Sequence, residues 1–283
     1  MIFPREIQKG VDISGHYDDL DRYYRELWGE HLHHGLWLNG EETVEEAVVQ
    51  MLEKVASAVD VRAGDRVCDV GCGYGGTSRF LTQRHGAEVI GLSLSSAQLD
   101  YARARGRDAG LGDSPRYLLQ DWLQNSFPDE NFDIVLSIES SEHMEDKPRF
   151  FSEAYRTLKP GGRMAVCAWL ATERPARWEV RHLLEPICRE GRLPSMGSEA
   201  EYREFFARAR FKNVRFEELS SQVKKTWPIC AWRLTKGLVT RPDLRRFLRT
   251  SPSADRAFAK TVFRLWLAYE TRSMRYGIFT ATK

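Results

Sequence analysis

The chain has 283 residues, which is enough for one α/β domain with insertions and a well-buried core. Its 42 Lys and Arg residues nearly balance its 40 Asp and Glu residues, so a net charge of +2 disfavours a dedicated nucleic-acid binder. No CxxC pair among the five cysteines, no signal-peptide-like start and no apolar stretch near the ~20 residues of a spanning helix together predict a cytoplasmic protein without integral membrane association.

The N-terminal part is expected to be mostly helical, and residues 1–60 are predicted to form a helical lid. Its segment "WGEHLHHGLW" brings His31, His33 and His34 close together. Three imidazoles suggest a metal site, but no second ligand cluster or carboxylate spacing completes one. We therefore expect a lid helix that touches a ligand, and no metal.

Residues 64–170 alternate short β-branched runs with amphipathic stretches, which is typical of a parallel sheet flanked by helices. Helical spacing is found in "TSRFLTQRH", "SAQLDYARARGRDAG" and "KPRFFSEAYRTL", and the last of these should stop at "KPGG". The predicted strands are "DRVCDV", "AEVIGL", "PRYLLQ", "FDIVLSI" and "RMAVCAWL".

The first of these strands runs into a glycine turn, "VCDVGCGYGG". Glycines let a ligand approach the backbone, and GxGxxG spacing is by itself a weak dinucleotide signature. Asp69 would repel a pyrophosphate, and the second strand ends in Ser93 where NAD enzymes carry an acidic ribose ligand. S-adenosylmethionine is cationic and has no phosphate, so the spacing of Asp69, Gly71, Gly73 and Gly75 suits it better.

The stretch "SIESSEHMEDKPRFF" begins with the last two residues of the fourth strand, and the second of these, Ile138, is expected to contact the cofactor. Ligands of open α/β sheets bind at the carboxyl ends of the strands, so the acidic ESSEH portion should lie at the mouth of the site. Asp146 and Pro148 are suited to the start of the next helix. The EDKP portion is therefore expected to be structural.

After the fifth strand, residues 171–200 and 225–272 are expected to form helical cap insertions, separated by the strand "FKNVRFEEL" and followed by "RYGIFTATK". The basic run from Arg241 to Arg264 could bind anionic lipid or nucleic acid. The arginines are more simply the solvated backs of helices whose apolar faces wall an acceptor pocket. Those faces would carry Leu244, Phe247, Leu248, Phe258, Val262, Leu265, Trp266 and Tyr269.

With these motifs in place, the chain resembles class I S-adenosylmethionine-dependent methyltransferases over roughly residues 12–282. Its "GLSLSSAQ" is similar to the "GxTLSxxQ" form of cyclopropane-fatty-acid synthases, sterol methyltransferases and tocopherol methyltransferases. The resemblance implies that Gln98 replaces the acidic ribose ligand, with Ser93 and Leu94 in the same pocket. It also implies that the reaction product of the cofactor is S-adenosylhomocysteine.

Other segments extend the resemblance. "LLQDWLQ" implies that Asp121 accepts from the adenine amine and that Trp122 stacks on the ring, and "SGHYDDLDRYY" nominates Tyr17 at the methionine moiety. "SIESSEHMEDK" is similar to the "ESxEHMxDK" of tocopherol-type methyltransferases, which faces both the methyl group and the acceptor. His143, which ordinarily titrates near neutrality, is the candidate base, and Glu142 would assist it or bind the acceptor.

These observations predict a single domain over residues 1–283: a doubly wound, mostly parallel seven-stranded sheet of the Rossmann-like methyltransferase fold with helical cap insertions, whose cofactor-binding core is residues 64–170. We expect methyl transfer to the oxygen, carbon or nitrogen of a small apolar or aromatic acceptor. A cyclopropane-synthase-like lipid-modifying enzyme is the alternative, although those enzymes carry a cysteine where this chain has Gly35 and Leu36. A non-catalytic cofactor-binding module, a nucleic-acid methyltransferase and a dehydrogenase are less favoured, and a homo-oligomer remains open.

Overall fold

The computed structural model describes residues 1–5, 31–243, 245–246 and 253–283, with side chains in the last range described from Lys260 onward. One seven-stranded sheet, in the order β3-β2-β1-β4-β5-β7-β6, organises these residues. β7 is antiparallel to both of its neighbours, and the other pairings are parallel. The strands are β1 (Arg66–Val70), β2 (Glu88–Ser93), β3 (Arg116–Leu119), β4 (Phe132–Ile138), β5 (Leu158–Ala171), β6 (Lys212–Glu218) and β7 (Met274–Thr282). The predicted doubly wound α/β fold is confirmed.

Helices connect the parallel strands and continue beyond β5. Thr43 and Glu46 form a capping box at the start of the first helix, and Asp146 caps the helix after β4 as the sequence predicts. The helices are α1 (Val44–Ala58), α2 (Gly76–His85), α3 (Ser96–Asp108), α4 (Lys147–Thr157), α5 (Arg177–Glu179), α6 (Glu185–Glu190), α7 (Glu199–Arg208), α8 (Ser220–Val223), α9 (Thr226–Thr240) and α10 (Ser253–Glu270), with a π-helical turn at Val180–Leu184.

The sheet separates two hydrophobic cores. Alternation along β4 sends Ile134 and Leu136 to one core and Val135 to the other, as the two-residue period of a strand requires. Residues of α9 and α10 pack with the first core, and the aromatic side chains of α4 and α7 with the second. Both faces of the central strands are therefore buried, so a ligand can reach the sheet only at the ends of the strands.

Several predicted boundaries are wrong for identifiable reasons. The helix α4 ends at Thr157, just before "KPGG" as predicted, but β5 begins at Leu158 and includes these residues as an irregularity in its pairing with β4, where Gly161 has φ +77°. Residues 31–43 form no helix, because Leu36 and Trp37 donate to the carbonyls of Ala47 and Gln222. Helical structure in the first cap insertion stops at Glu190, and α7 was missed.

Within the described part of the chain, no helix combines the length and apolarity that crossing a membrane requires.

Candidate active site

A cavity of about 920 Å³ opens at the carboxyl ends of β1, β2 and β4, where the strand order reverses. Its volume lies within the range of small-molecule sites. Most of the predicted cofactor residues are in its wall. These are Asp69, Gly71, Gly73, Ser93, Leu94, Gln98, Asp121, Trp122 and Ile138.

The glycine turn between β1 and α2 forms one side of the cavity. Gly71 and Gly73 have φ values of +78° and +52°, in the left-handed region that favours glycine. A Cβ at Gly73 would meet no atom within 4 Å, so this backbone borders open space. Gly75 is not part of the wall: its carbonyl accepts from the Tyr117 hydroxyl at 3.3 Å, and a Cβ there would clash with the same ring.

Asp69 is almost fully buried at the end of β1, and its Oδ2 accepts from the Ser78 hydroxyl at 2.6 Å. Burial raises the pKa of this carboxyl to about 6, because one hydroxyl donor compensates little of the lost solvation. A cationic ligand would favour its ionised form.

The second strand ends in the polar pair that replaces an acidic residue. The Ser93 hydroxyl donates to Gln98 Oε1 at 2.9 Å, and both side chains are buried in the cavity wall. Gln98 is held at the start of α3, where its backbone N–H donates to the N-cap Ser95. Leu94 is 40% exposed beside them.

Asp121 and Trp122 follow β3 and begin a short 3₁₀ turn. Asp121 Oδ1 accepts from the Leu123 N–H at 2.9 Å, so this carboxylate already caps the turn. The Trp122 indole is buried, packs against Phe150 and donates from Nε1 to the Phe150 carbonyl. Both residues border the cavity, with Trp122 also anchored in the core.

The N-terminal segment reaches the cavity without forming a helix. The His31 ring lies against Gly76, where a Cβ would come within 2.4 Å of it. Burial, followed by the nearby His33 and Arg79, lowers the pKa of His31 to about 3. Tyr17 falls outside the described residues. Among the described residues, no group of three or more His, Cys, Asp or Glu side chains could hold a metal ion.

Glu142 and His143 lie on the 3₁₀ turn Ser141–His143, directly beyond β4. Burial raises the pKa of Glu142 to about 7, and its Oε1 accepts from the Trp169 backbone N–H. His143 Nδ1 is 3.4 Å from the Arg192 carbonyl. The expectation that His143 titrates near neutrality is wrong, because burial lowers its pKa to about 4.

Glu139, at the start of the ESSEH stretch, was missed as a site residue. Its carboxylate accepts from the His34 backbone N–H at 2.7 Å, His34 Nδ1 at 3.0 Å, Trp169 Nε1 at 2.7 Å and the Tyr276 hydroxyl at 2.8 Å. Burial alone would raise its pKa, but the charge and hydrogen bonds of His34 lower it. Glu139 also holds φ +53°, a strained conformation for a non-glycine residue. That conformation is invisible in the sequence, and the partners come from three distant segments.

A second, smaller cavity of about 80 Å³, which we call the chamber, adjoins the first. Four residues border both: Leu32, His33, Glu139 and His143. The rest of the chamber wall is mainly aromatic and aliphatic, with hydroxyl groups and a second carboxylate. It consists of His34, Glu142, Trp169, Gly191, Leu193, Thr226, Trp227, Thr261 and Leu265.

The two cavities differ in their charge. Arg149 is the one Lys or Arg among the described residues around the large cavity, against the carboxylates of Asp69, Asp121, Glu139, Glu145 and Asp146. This wall suits a cation and opposes a pyrophosphate. The described wall of the chamber contains no Lys or Arg.

The chain matches the family described as Mycolic acid cyclopropane synthetase over residues 5–244. It is 32% identical over 252 residues to a probable chloroplastic tocopherol O-methyltransferase of Oryza sativa subsp. japonica, an alignment covering 84% of this chain and 68% of that protein. It is 31% identical to the 27-O-demethylrifamycin SV methyltransferase of Amycolatopsis mediterranei, covering 99% and 97% of the two chains.

Among solved structures, the fold is similar to that of a mycolic acid cyclopropane synthase crystallised with S-adenosylhomocysteine and CTAB. The TM-score is 0.83 at 21% identity, and the match covers 98% of this chain and 99% of the other. The likeness supports the fold.

Proposed function

Since the chain belongs to the mycolic acid cyclopropane synthetase family of S-adenosylmethionine-dependent enzymes, we propose that it transfers a methyl group to a hydroxyl oxygen of a small, largely aromatic or apolar acceptor. One observation carries the proposal. The large acidic cavity and the smaller, largely aromatic chamber share the residues His33, Glu139 and His143, so a cofactor and an acceptor can meet at a junction with proton acceptors.

The residues around the large cavity fit S-adenosylmethionine. Gly73 leaves open space that any side chain would fill, and Asp69 is a buried carboxylate whose ionised form gains from a nearby cation. When bound, the cofactor supplies an electrophilic methyl group on a sulfonium. Asp69 and the glycine turn would hold its methionine end, with Tyr17 assigned there by resemblance alone.

Gln98 would hold the ribose. Its Oε1 already accepts from Ser93, so its amide nitrogen is the group left to donate to a ribose hydroxyl. Leu94 and Ile138 would cover the adenosine, Trp122 would stack on the adenine, and Asp121 would accept from the exocyclic amine. A bound structure with the ribose hydroxyls beyond hydrogen-bond distance of Gln98 would contradict this assignment.

The chamber fits the reacting end of a neutral acceptor that carries a hydroxyl group, because its volume of about 80 Å³ is too small for a whole ligand of this class. Buried polar atoms in its wall have no described hydrogen-bond partner, among them His33 Nε2 and Thr226 Oγ1. His33 Nδ1 faces the His34 carbonyl at 2.9 Å and so carries the proton, which leaves Nε2 an acceptor. Trp169, Trp227 and aliphatic groups supply the apolar contact. An anion would meet two carboxylates and no described Lys or Arg.

His143 is the proposed base. Its Nδ1 donates to a carbonyl, so Nε2 is the nitrogen that can accept a proton, and the low pKa keeps the ring neutral at physiological pH. Glu142 has a pKa of about 7 and would receive the proton or orient the acceptor. The five cysteines are all unpaired and buried, which supports a reducing, cytoplasmic setting. Small natural products are the acceptor class that we favour.

The test is turnover of S-adenosylmethionine with a panel of phenols, quinols, amines and unsaturated lipids, with products identified by mass spectrometry. We expect O-methyl products from phenols or quinols. His143→Ala should lose roughly 10²- to 10⁴-fold in turnover, the usual contribution of a positioned base. The binding of S-adenosylhomocysteine should stay unchanged, and the loss should shrink for acceptors that are already ionised. His182→Ala is the matched control, because His182 is exposed outside both cavities.

The other outcomes separate the alternatives. N-methyl products alone would contradict the hydroxyl acceptor, and cyclopropanated lipids would support the cyclopropane-synthase-like alternative. Binding of the cofactor without turnover of any acceptor would support a non-catalytic module. Wild-type turnover in His143→Ala across acceptors of differing acidity would show that this imidazole is structural.

A further inference from the structure

The two long cap helices carry large apolar side chains on their outer surfaces. Trp232 and Val239 of α9 are 62% and 75% exposed, and Phe263, Trp266 and Leu267 of α10 are between 39% and 49% exposed. This corrects the expectation that Trp266 belongs to a buried apolar face. Isolated exposed apolar residues are ordinary, but five lie on the outer surfaces of two helices that pack against each other, and we call these five residues the patch.

Lysines alternate with these apolar residues at helical spacing. Trp232, Lys236 and Val239 follow one outer stripe of α9, and the Lys236 ammonium lies 4.9 Å from the centre of the Trp232 ring. Lys260, Phe263 and Leu267 follow the corresponding stripe of α10. Positions i, i+3 or i+4 and i+7 share one face of a helix, so each stripe combines apolar and cationic groups.

The sequence of the segment that carries these two helices is strongly one-sided in charge. Residues 224–272 contain twelve Lys and Arg residues and three Asp and Glu residues, in a chain whose total is 42 against 40. The small net charge of the whole protein therefore conceals a basic cap. A surface with this composition attracts an anionic partner over the Debye length.

We propose that this outer face of α9 and α10 docks on an anionic lipid surface. Trp and Phe favour the boundary between headgroups and acyl chains, and Lys beside them favours anionic headgroups. The cores of protein interfaces are depleted in Lys, and binding to a nucleic acid depends mainly on its phosphates, which leaves groups such as Val239 and Leu267 without a role, so both partners fit less well.

The inner faces of the same helices explain what docking achieves. Thr226 and Trp227 of α9, with Thr261 and Leu265 of α10, line the chamber. Docking would therefore place the chamber under the lipid surface, where an apolar acceptor concentrates. This consequence rests on the proposed function, whereas the docking itself does not require it.

Vesicle co-sedimentation of the full chain tests the proposal, using pure phosphatidylcholine and an equimolar mixture with phosphatidylglycerol. We expect binding to the anionic vesicles alone, weakened by salt. Lys236→Glu with Lys260→Glu should weaken binding by more than about tenfold, since each basic residue near such a surface contributes about fivefold. Trp232→Ser with Trp266→Ser should cause a comparable loss.

Matched controls lie at the opposite edge of the sheet. Leu119→Ser on β3 and Arg107→Glu on α3 change an exposed apolar residue and an exposed cation away from the patch, and they should bind vesicles like wild type. All variants should retain affinity for S-adenosylhomocysteine. The proposal is overturned if wild type does not bind anionic vesicles, if the controls lose as much as the patch variants, if the chain prefers RNA or DNA, or if the patch variants change its oligomeric state in sedimentation.

Discussion

Gly71 and Gly73 show how two neighbouring glycines in one turn serve different purposes. Both hold the left-handed backbone, so an alanine at either position costs roughly 1 to 2 kcal/mol. At Gly71 the new Cβ would lie 2.3 Å from the Ser140 Cβ, and at Gly73 it would enter open space in the cavity. Gly71 is therefore required by the fold, and we propose that Gly73 is required by the ligand.

The prediction is that Gly71→Ala lowers the melting temperature of the free protein more than Gly73→Ala does. Gly73→Ala should instead weaken S-adenosylhomocysteine at least tenfold, because the methyl group occupies the ligand's space. Calorimetry and thermal denaturation of both variants separate the two effects. Equal losses of stability with unchanged affinity would mean that no ligand approaches Gly73.

At the scale of elements, the Glu139 carboxylate connects three parts of the chain to the end of β4. The 31–37 segment, β5 and β7 each donate to it, through His34, Trp169 and Tyr276. A hydrogen bond to a charged group contributes about 1.5 to 3 kcal/mol, and without the charge these three donors keep at best a neutral acceptor. The carboxylate also stabilises the fold only when ionised, so its contribution is lost as the pH falls through its lowered pKa.

We therefore expect Glu139→Gln to lower the free energy of unfolding by several kcal/mol at neutral pH. Glu142→Gln is the matched comparison, since Glu142 is equally buried but has a raised pKa, and an amide oxygen can still accept from Trp169. The free energy of unfolding of the Glu142→Gln variant should change little or increase. Denaturant unfolding of both variants provides the measurement, and similar losses in the two would refute the anchoring role of Glu139.

These elements could be predicted from the sequence where the pattern that determines them is local. The apolar runs of β1 and β4 and the glycine turn are contiguous, so their place in the sheet and Asp69 beside the cavity could be predicted. The path of β5 through "KPGG" depends on pairing with β4 and β7, and the non-helical 31–43 segment depends on acceptors in α1 and α8. Glu139 was missed for the same reason, because its hydrogen-bond donors are distant in the sequence. Trp169 is thirty positions away, and His34 is more than a hundred positions away.

Across the whole molecule, a nearly balanced charge hides three separate environments. The large cavity is acidic, the chamber has no described Lys or Arg, and the cap helices are basic. The net charge of +2 correctly indicates that the protein has no overall electrostatic field of one sign. It cannot show that the fold separates acidic regions from basic ones. Buried groups at the site shift toward their neutral forms, with the pKa of Asp69 and Glu142 raised and that of His31 and His143 lowered. At a pH above their raised pKa values, the carboxylates of Asp69 and Glu142 therefore lower the stability of the free protein.

Asp69→Asn should reveal this cost directly. The folded pKa of about 6 lies above the ordinary value of 3.8, so the folded state binds the proton more tightly and wild-type stability falls as the pH rises between the two values. Two pKa units correspond to at most about 3 kcal/mol, and the cost is fully present above the folded pKa. Asparagine keeps an acceptor for Ser78 without the charge, so the variant should melt higher than wild type at roughly pH 8 and like it at roughly pH 4. The binding free energy of this variant for S-adenosylhomocysteine should nevertheless weaken by about 1 to 3 kcal/mol.

The affinity of the wild-type protein for the same ligand should itself weaken below pH 6, because Asp69 takes up its proton there. Thermal denaturation and calorimetry over this pH range are the measurements, and an asparagine variant that melts lower than wild type at high pH would show that the Asp69 carboxylate stabilises the free fold.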